Sequence, residues 1–187
     1  MGERNIDVMS YSWPFRILIL ITLTFLIIPS SDADTADEFL DHGNDFFNQG
    51  NFDQAIFEYS KALDINPNLA KAYDNRGVAY ARDGSFTRAI ADFTMAIANN
   101  PKDAEAYNNR GHAYAQQDNL TQAVSDYTSA IEINAFYAKA YNNRAMVFYN
   151  LKEYDKARSD VRSINEIGST ADPGLIEKLK AAPGEDQ

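Results

Sequence analysis

Apolar and polar residues alternate along this chain at the three- and four-residue spacing of amphipathic helices. Three segments align without gaps at a spacing of 34 residues, AKAYDNRGVAYARDG from Ala70, AEAYNNRGHAYAQQD from Ala104 and AKAYNNRAMVFYNLK from Ala138. A weaker copy, ADEFLDHGNDFFNQG, begins at Ala36. Self-similarity at this period predicts a solenoid of stacked helical hairpins.

A second amphipathic segment follows each of these, after a short turn of residues such as Gly, Asp and Asn. Small residues recur where the two segments of a pair should cross, at Gly43, Gly77, Gly111 and Ala145 in the first segment and at Ala55, Ala89, Ala123 and Ala157 in the second. Residues that favour helix N-caps open the second segments, namely Asp53, Thr87, Thr121 and Asp155. The pattern therefore predicts two closely packed helices in each repeat.

The aromatic positions complete a specific signature. The first segments carry them at Phe39, Tyr73, Tyr107 and Tyr141 and again at Phe46, Tyr80, Tyr114 and Phe148, and the second segments at Tyr59, Phe93 and Tyr127. Together with the glycine and alanine spacing, this pattern resembles the tetratricopeptide repeat family. The resemblance implies an all-α, right-handed superhelical solenoid of four helix–turn–helix repeats, at residues 36–69, 70–103, 104–137 and 138–171.

The last repeat departs from the pattern and is followed by a different element. Arg158 and Asn165 replace apolar residues in its second segment, which suits a terminal repeat with one neighbour. Asp172 and Pro173 then resemble a helix start, with an apolar stripe behind them. We expect a capping helix at residues 172–182 and a disordered tail at residues 183–187.

The first 33 residues are of another kind. Arg4 and Arg16 are their only cations, and the run ILILITLTFLII from Ile17 to Ile28 carries no charge. Small residues precede a cut after Ala33, so residues 1–33 are predicted to be a cleavable secretory signal. The run is shorter than the roughly 20 apolar residues of a spanning helix. An uncleaved signal anchor is the alternative, and both interpretations place the repeats outside the cytoplasm.

Composition and motifs exclude several functions. The chain has no cysteine and a formal net charge of −10, without the basic face that a nucleic-acid partner requires. His42 and His112 are its two histidines, and no metal-ligand spacing surrounds either of them. No nucleophile, P-loop or dinucleotide motif is present. We expect no enzyme activity, no cofactor and no metal.

An arginine recurs in the first segments, at Arg76, Arg110 and Arg144. Each is followed sixteen residues later by an aspartate, at Asp92, Asp126 and Asp160, and repeat 1 has His42 and Glu58 at the same offsets. This co-occurrence favours an ion pair between the two helices of a repeat over a ligand-binding role.

Three asparagines, Asn75, Asn109 and Asn143, occupy the same position in successive first segments. The resemblance places first helices on the concave face, so these side chains should form a ladder similar to that of O-linked N-acetylglucosamine transferase. An amide can pair with the backbone of any extended peptide. The predicted peptide-binding groove consists of Asn44, Lys71, Asn75, Val78, Arg82, Asn108, Asn109, His112, Lys139, Asn142, Asn143, Met146 and Tyr149.

One ligand class of the family is not predicted. Chaperone-binding members hold a C-terminal EEVD-type carboxylate with lysines, arginine and two asparagines. This chain supplies the two asparagines at Asn44 and Asn75, but it has Leu40, Glu105 and Asn109 where the cations should be.

We therefore expect an exported scaffold, periplasmic or secreted, that holds an extended peptide or a partner protein in its groove. The alternative is a membrane-anchored assembly factor of an envelope or secretion complex, which requires an uncleaved N-terminal segment. Glycan binding is less favoured, because Tyr149 is the main aromatic available for stacking on a sugar.

Overall fold

The structure is a computed structural model that describes residues 31–184, and this part of the chain forms nine helices and no strand. The helices are α1 (Ser31–Asn48), α2 (Phe52–Ile65), α3 (Ala70–Arg82), α4 (Phe86–Asn99), α5 (Ala104–Gln116), α6 (Leu120–Ile133), α7 (Ala138–Asn150), α8 (Tyr154–Glu166) and α9 (Pro173–Lys180). The predicted all-α fold is confirmed. The predicted signal, residues 1–33, lies outside the described residues apart from its last three, which open α1, and residues 185–187 also lie outside them.

Four antiparallel hairpins, α1–α2, α3–α4, α5–α6 and α7–α8, stack in chain order. Each helix packs against the next, and the first helices of neighbouring hairpins also touch one another. Stacking of this kind buries a continuous core through nearest-neighbour contacts. It leaves α1, α3, α5 and α7 along the inner, concave side of the solenoid.

Small residues let the two helices of each hairpin approach closely. The second-helix alanines Ala55, Ala89, Ala123 and Ala157 are fully buried. Gly77 faces the ring of Phe93, and a Cβ atom added at this glycine would lie 2.7 Å from the Cε1 atom of that ring. Gly43 and Gly111 face Tyr59 and Tyr127 in the same way. The glycine and the aromatic residue therefore form one packing unit in repeats 1 to 3.

The turns within the hairpins explain why the predicted N-caps are wrong. At the end of α3, Gly84 adopts a left-handed conformation with φ of 79°, and the N–H of Ser85 donates to the carbonyl of Tyr80 at 2.8 Å. This Schellman geometry makes Ser85 the N-cap residue of α4, which begins at Phe86. The equivalent caps elsewhere are Asn51, Asn119 and Glu153. Asp53, Thr87, Thr121 and Asp155 lie instead in the second position of their helices.

The predicted arginine–aspartate pairs are confirmed in repeats 2, 3 and 4. In repeat 3, the Nε and Nη2 atoms of Arg110 each donate to Asp126 at 2.8 Å. The remaining Nη1 atom donates to Thr94 of the preceding repeat at 3.2 Å, and the guanidinium lies 5.6 Å from the ring centroid of Tyr107. Arg76 and Arg144 make the equivalent contacts. The arginine therefore joins the helices of its own repeat and fastens that repeat to the previous one.

Repeat 1 does not form this pair. Glu58 is buried and accepts hydrogen bonds from Lys61, at 3.1 and 3.3 Å, one turn further along α2. The charged pair in the first hairpin is thus local to one helix.

The C-terminal helix α9 covers the last hairpin, as predicted. Asp172 caps it through a hydrogen bond from the Leu175 N–H at 2.8 Å, and Leu175 and Leu179 pack against Ala145 and Ala157.

Arg158, one of the two polar residues that replace apolar ones in the last repeat, is buried beneath α9. Its Nη2 atom donates to the carbonyls of Leu179 and Ala182 at 3.1 and 3.0 Å and to that of Pro183 at 3.3 Å. A cation at this place satisfies carbonyls that the end of a helix leaves unpaired. Pro183, assigned from the sequence to a disordered tail, therefore contacts α8.

Leu175→Ala is expected to lower the free energy of unfolding by about 3 kcal/mol, because Leu175 is fully buried and its removal leaves a cavity between α9 and the last hairpin. Urea unfolding followed by circular dichroism measures the change. Glu177→Ala, on the exposed side of the same helix, is the control and should differ from the wild type by less than about 0.5 kcal/mol. Equal effects of the two substitutions would show that α9 does not cap the fold.

Within residues 31–184, none of the helices combines the length and the apolar character needed to cross a membrane.

Candidate functional site: the concave groove

The inner side of the solenoid holds two adjoining cavities, together called the groove here. The first, of about 790 Å³, lies between α1, α3 and the turn that precedes α5. The second, of about 700 Å³, continues along α3, α5 and α7. Phe47, Val78 and Glu105 line both cavities. The groove is thus continuous from repeat 1 to the first turns of α7 in repeat 4 and is large enough for several side chains of a ligand.

The asparagines predicted to form a ladder do lie along this side. Each of them donates a side-chain hydrogen bond to a residue of the preceding repeat. The side-chain N–H of Asn143 donates to the carbonyl oxygen of Asn108 at 2.9 Å, and that of Asn109 donates to Asp74 at 3.3 Å. Asn75 donates to Asn44 at 2.7 Å. These bonds join neighbouring first helices, so the ladder helps to hold adjacent repeats in register.

The ladder retains capacity for a ligand. Each amide offers two N–H donors and one carbonyl acceptor, and the inter-repeat bond uses one donor. Within residues 31–184, the carbonyl oxygens of Asn75, Asn109 and Asn143 accept no hydrogen bond. All three side chains are partly exposed. A donor and an acceptor therefore remain at each of three successive repeats.

The structure brings most of the predicted groove residues together. The first cavity contains Asn44, Lys71, Asn75 and Val78, and the second contains Val78, Arg82, Asn108, Asn109, His112, Lys139 and Asn143. Four of these residues are exposed, namely Lys71, Arg82, His112 and Lys139. Asn108 is buried, and it accepts a hydrogen bond from Asn143.

Three predicted residues have another environment. Met146 and Tyr149 pack in the cluster that α9 forms with the last hairpin, and the side-chain oxygen of Asn142 accepts the backbone N–H of Asp172 at 2.8 Å. The C-terminal segment thus occupies the inner side of repeat 4, and these residues do not line either cavity.

Sequence reasoning did not find two groove aromatics, Phe47 and Phe86. Each is close in sequence to a residue of the family framework, Phe47 directly after Phe46 and Phe86 at the start of a second helix. The available signal was that Phe47 directly follows the aromatic position of the signature, and its side chain both packs against the core of the first hairpin and lines the groove.

Charges are unevenly distributed in the groove. Burial raises the pKa of Asp74 from 3.8 to about 6, with smaller contributions in the same direction from Asp103 and Glu105 and an opposing hydrogen bond from Asn109. Although His112 is exposed, partial desolvation of its ring within the groove lowers its pKa, and the nearby cations Lys139 and Arg82 lower it further. One part of the groove is therefore rich in carboxylates and the other in cations.

Asp74→Asn is expected to stabilise the protein by about 2 kcal/mol near pH 7. A carboxyl group whose pKa rises on folding contributes stability below its unfolded value of 3.8, and this contribution is lost as pH rises through about 6. The asparagine keeps an acceptor for Asn109 and carries no charge. The measurement is the free energy of unfolding of both proteins near pH 7 and near pH 4, where the difference should shrink to about 0.5 kcal/mol. Glu132→Gln, on the exposed outer surface, is the control.

If the wild-type protein is as stable as Asp74→Asn near pH 7, then the Asp74 carboxylate does not destabilise the folded protein.

Taken together, the stacked hairpins and the open groove define a helical-repeat scaffold. Models of the tetratricopeptide repeat match residues 43–84, 75–138 and 108–171. The chain belongs to the tetratricopeptide repeat family. It is a scaffold for protein–protein interaction, and proteins with this fold are generally not catalytic.

Two kinds of relative are similar to this chain. Hsp70-Hsp90 organizing protein 1 of Arabidopsis thaliana is 41% identical over 51 residues, which are 27% of this chain and 9% of that protein, and its Glycine max counterpart is 39% identical over the same share. The first tetratricopeptide-repeat domain of Spaghetti (RPAP3), solved bound to the HSP90 peptide SRMEEVD, is 31% identical with a TM-score of 0.63. The match covers 64% of this chain and 94% of that domain.

A crystal structure of MamA protein is 29% identical with a TM-score of 0.69, covering 78% of this chain and 77% of MamA. The match spans about a tenth of the length of the curated organizing proteins.

Proposed function

We propose that this protein is an exported, non-enzymatic scaffold that holds an extended segment of a partner protein in the groove. The observation that carries the proposal is the row of partly exposed amides at Asn75, Asn109 and Asn143, each with an acceptor and a donor left over from the inter-repeat bonds. Peptide groups of an extended strand repeat every 3.3 Å or so and need both donors and acceptors.

The lining of the groove supports a peptide rather than an apolar helix. It is mixed and polar, and its large apolar side chains, chiefly Phe47 and Phe86, are few. An amphipathic helix would need a continuous apolar surface at its i, i+3, i+4 and i+7 positions. A peptide-bound domain that is 31% identical to this chain adds further support.

Export rests on the sequence alone. The apolar run Ile17–Ile28 is followed by small residues at the predicted cleavage site after Ala33. The mass of the intact mature protein decides between secretion without residues 1–33 and an uncleaved anchor that would make the protein a membrane-bound assembly factor. Retention of these residues would favour the anchor.

Photo-crosslinking tests the groove directly. A benzoylphenylalanine placed at Val78, which lines both cavities, should crosslink to the partner in source cells, and mass spectrometry should map the crosslinks to one continuous segment of that partner. Glu132, exposed on α6 and absent from both cavities, is the matched control position and should give no such product. Crosslinks from Glu132 alone, or scattered over a folded partner surface, would place the interaction outside the groove.

A further inference from the structure

The two cavities of the groove differ in charge. The first is lined by Asp74, Asp103 and Glu105 with Lys71 as its cation. The second is lined by Arg82, His112 and Lys139, with Glu105 as its carboxylate at the junction. Counting formal charges at neutral pH, the first cavity carries three negative and one positive, and the second one negative and two positive, besides the histidine. The groove is therefore polarised along its length.

The three carboxylates of the first cavity outnumber its one cation, Lys71. Within residues 31–184, none of Asp74, Asp103 and Glu105 forms an ion pair with a lysine or arginine. Asp74 has a hydrogen bond from the neutral amide of Asn109, and Asp103 accepts the N–H groups at the start of α5 at 3.0 and 3.2 Å.

These carboxylates affect each other and their surroundings. Burial is the main cause that raises the pKa of Tyr137 to about 12, and the charges of Glu105, Asp74 and Asp103 raise it further. The charges of Asp103 and Glu105 also contribute to the raised pKa of Asp74. Like charges held together without an ion pair destabilise the free protein, and a ligand cation relieves that cost on binding.

The geometry does not suit a metal ion. Among the described residues, no group of three or more His, Cys, Asp and Glu side chains is arranged to bind one. The acidic side chains are spread over α3, the α4–α5 turn and α5, which fits a long flexible cation such as a lysine or arginine side chain.

We propose that the segment held in the groove carries a lysine or arginine side chain that pairs with Asp74 and Glu105, and an acidic side chain further along that faces Arg82 and Lys139. This inference rests on the proposed function and names its ligand class, a charge-segregated extended peptide. The same arrangement disfavours segments that are acidic throughout, because a second carboxylate would face the three that the first cavity already holds.

Selection from a random dodecapeptide display library tests the proposal with the full chain. Wild-type protein should enrich sequences with lysine or arginine at one position and aspartate or glutamate at a fixed distance from it. The enriched peptide should bind the double variant Asp74→Asn/Glu105→Gln about tenfold more weakly, the loss expected for one charge pair in a partly shielded groove. Glu132→Gln carries one of the same charge changes on the outer surface and should bind as the wild type does.

The enriched peptide with its lysine or arginine replaced by glutamate serves as the comparison probe and should bind at least tenfold more weakly than the enriched peptide itself. Because Asp74→Asn is expected to stabilise the fold, loss of binding in the double variant would not reflect unfolding, and circular dichroism checks this.

Two failures are distinguishable. If the groove enriches peptides without basic residues, or if the double variant binds its peptide as tightly as the wild type, the charge proposal is wrong while the peptide-binding function stands. If no peptide is enriched and crosslinking at Val78 also fails, the proposed function itself is wrong.

Discussion

Arg110→Met should lower the free energy of unfolding by about 3 kcal/mol, the largest effect expected of a single polar substitution in this protein. Its partner Asp126 is only 7% exposed and would be left buried without a cation beside it. The bond to Thr94 of the previous repeat would be lost as well. Urea unfolding of the full chain, followed by far-ultraviolet circular dichroism, measures the change.

Two controls separate the buried pair from charge in general. Lys180→Met removes one partner of the Lys180–Glu177 pair, whose side chains are 66% and 71% exposed, and should cost less than about 0.5 kcal/mol. The double variant Arg110→Met/Asp126→Leu should recover most of the stability, because neither charge then remains buried. A double variant as unstable as Arg110→Met alone would mean that packing, rather than the unpaired carboxylate, causes the loss.

Gly77→Ala should also destabilise the protein, by about 2 kcal/mol, although alanine favours a helix over glycine by about 1 kcal/mol. The added methyl group would lie 2.7 Å from a ring carbon of Phe93, so this buried ring, which packs between two repeats, would have to shift. Overpacking of this kind costs about 3 kcal/mol and exceeds the gain in helix propensity. Thermal and urea unfolding measure the net effect.

The last repeat supplies the control for this prediction. There alanine replaces the glycine, at Ala145, and Val161 replaces the aromatic residue in the same cluster. We therefore expect Gly77→Ala to become neutral or stabilising in a Phe93→Val background. If Gly77→Ala costs the same in both backgrounds, then the ring is not what excludes a side chain at position 77.

Features that depend on residues within one repeat were predictable from the sequence. The repeat length, the close packing at Gly77 and Phe93 and the Arg110–Asp126 pair all recur at fixed offsets, so comparison of one repeat with another shows which residues go together. The fold followed from these constraints. The helix starts were misplaced by two residues because the Schellman turn leaves its last residue, such as Ser85, as the cap, and this depends on the left-handed residue before it.

Features that depend on contacts between repeats were harder to predict from the sequence. The bond from Asn109 to Asp74 joins residues 35 positions apart, and Asn109 was interpreted as facing a ligand. No sequence rule distinguishes an amide that bonds to its neighbour from one that bonds to a partner. In the same way, the inner position of Met146 followed from the repeat, but its cover by α9 depends on how a short helix outside the repeat packs.

The position of α9 sets how this architecture can grow. The surface of repeat 4 on which another hairpin would stack is already covered by Leu175 and Leu179, and the amide oxygen of Asn142 is already bonded. A duplicated 34-residue unit therefore has to be inserted ahead of the last repeat, where it would lengthen the binding surface and leave the terminus intact. Designers who wish to accommodate a longer target can use the same place, between residues 137 and 138.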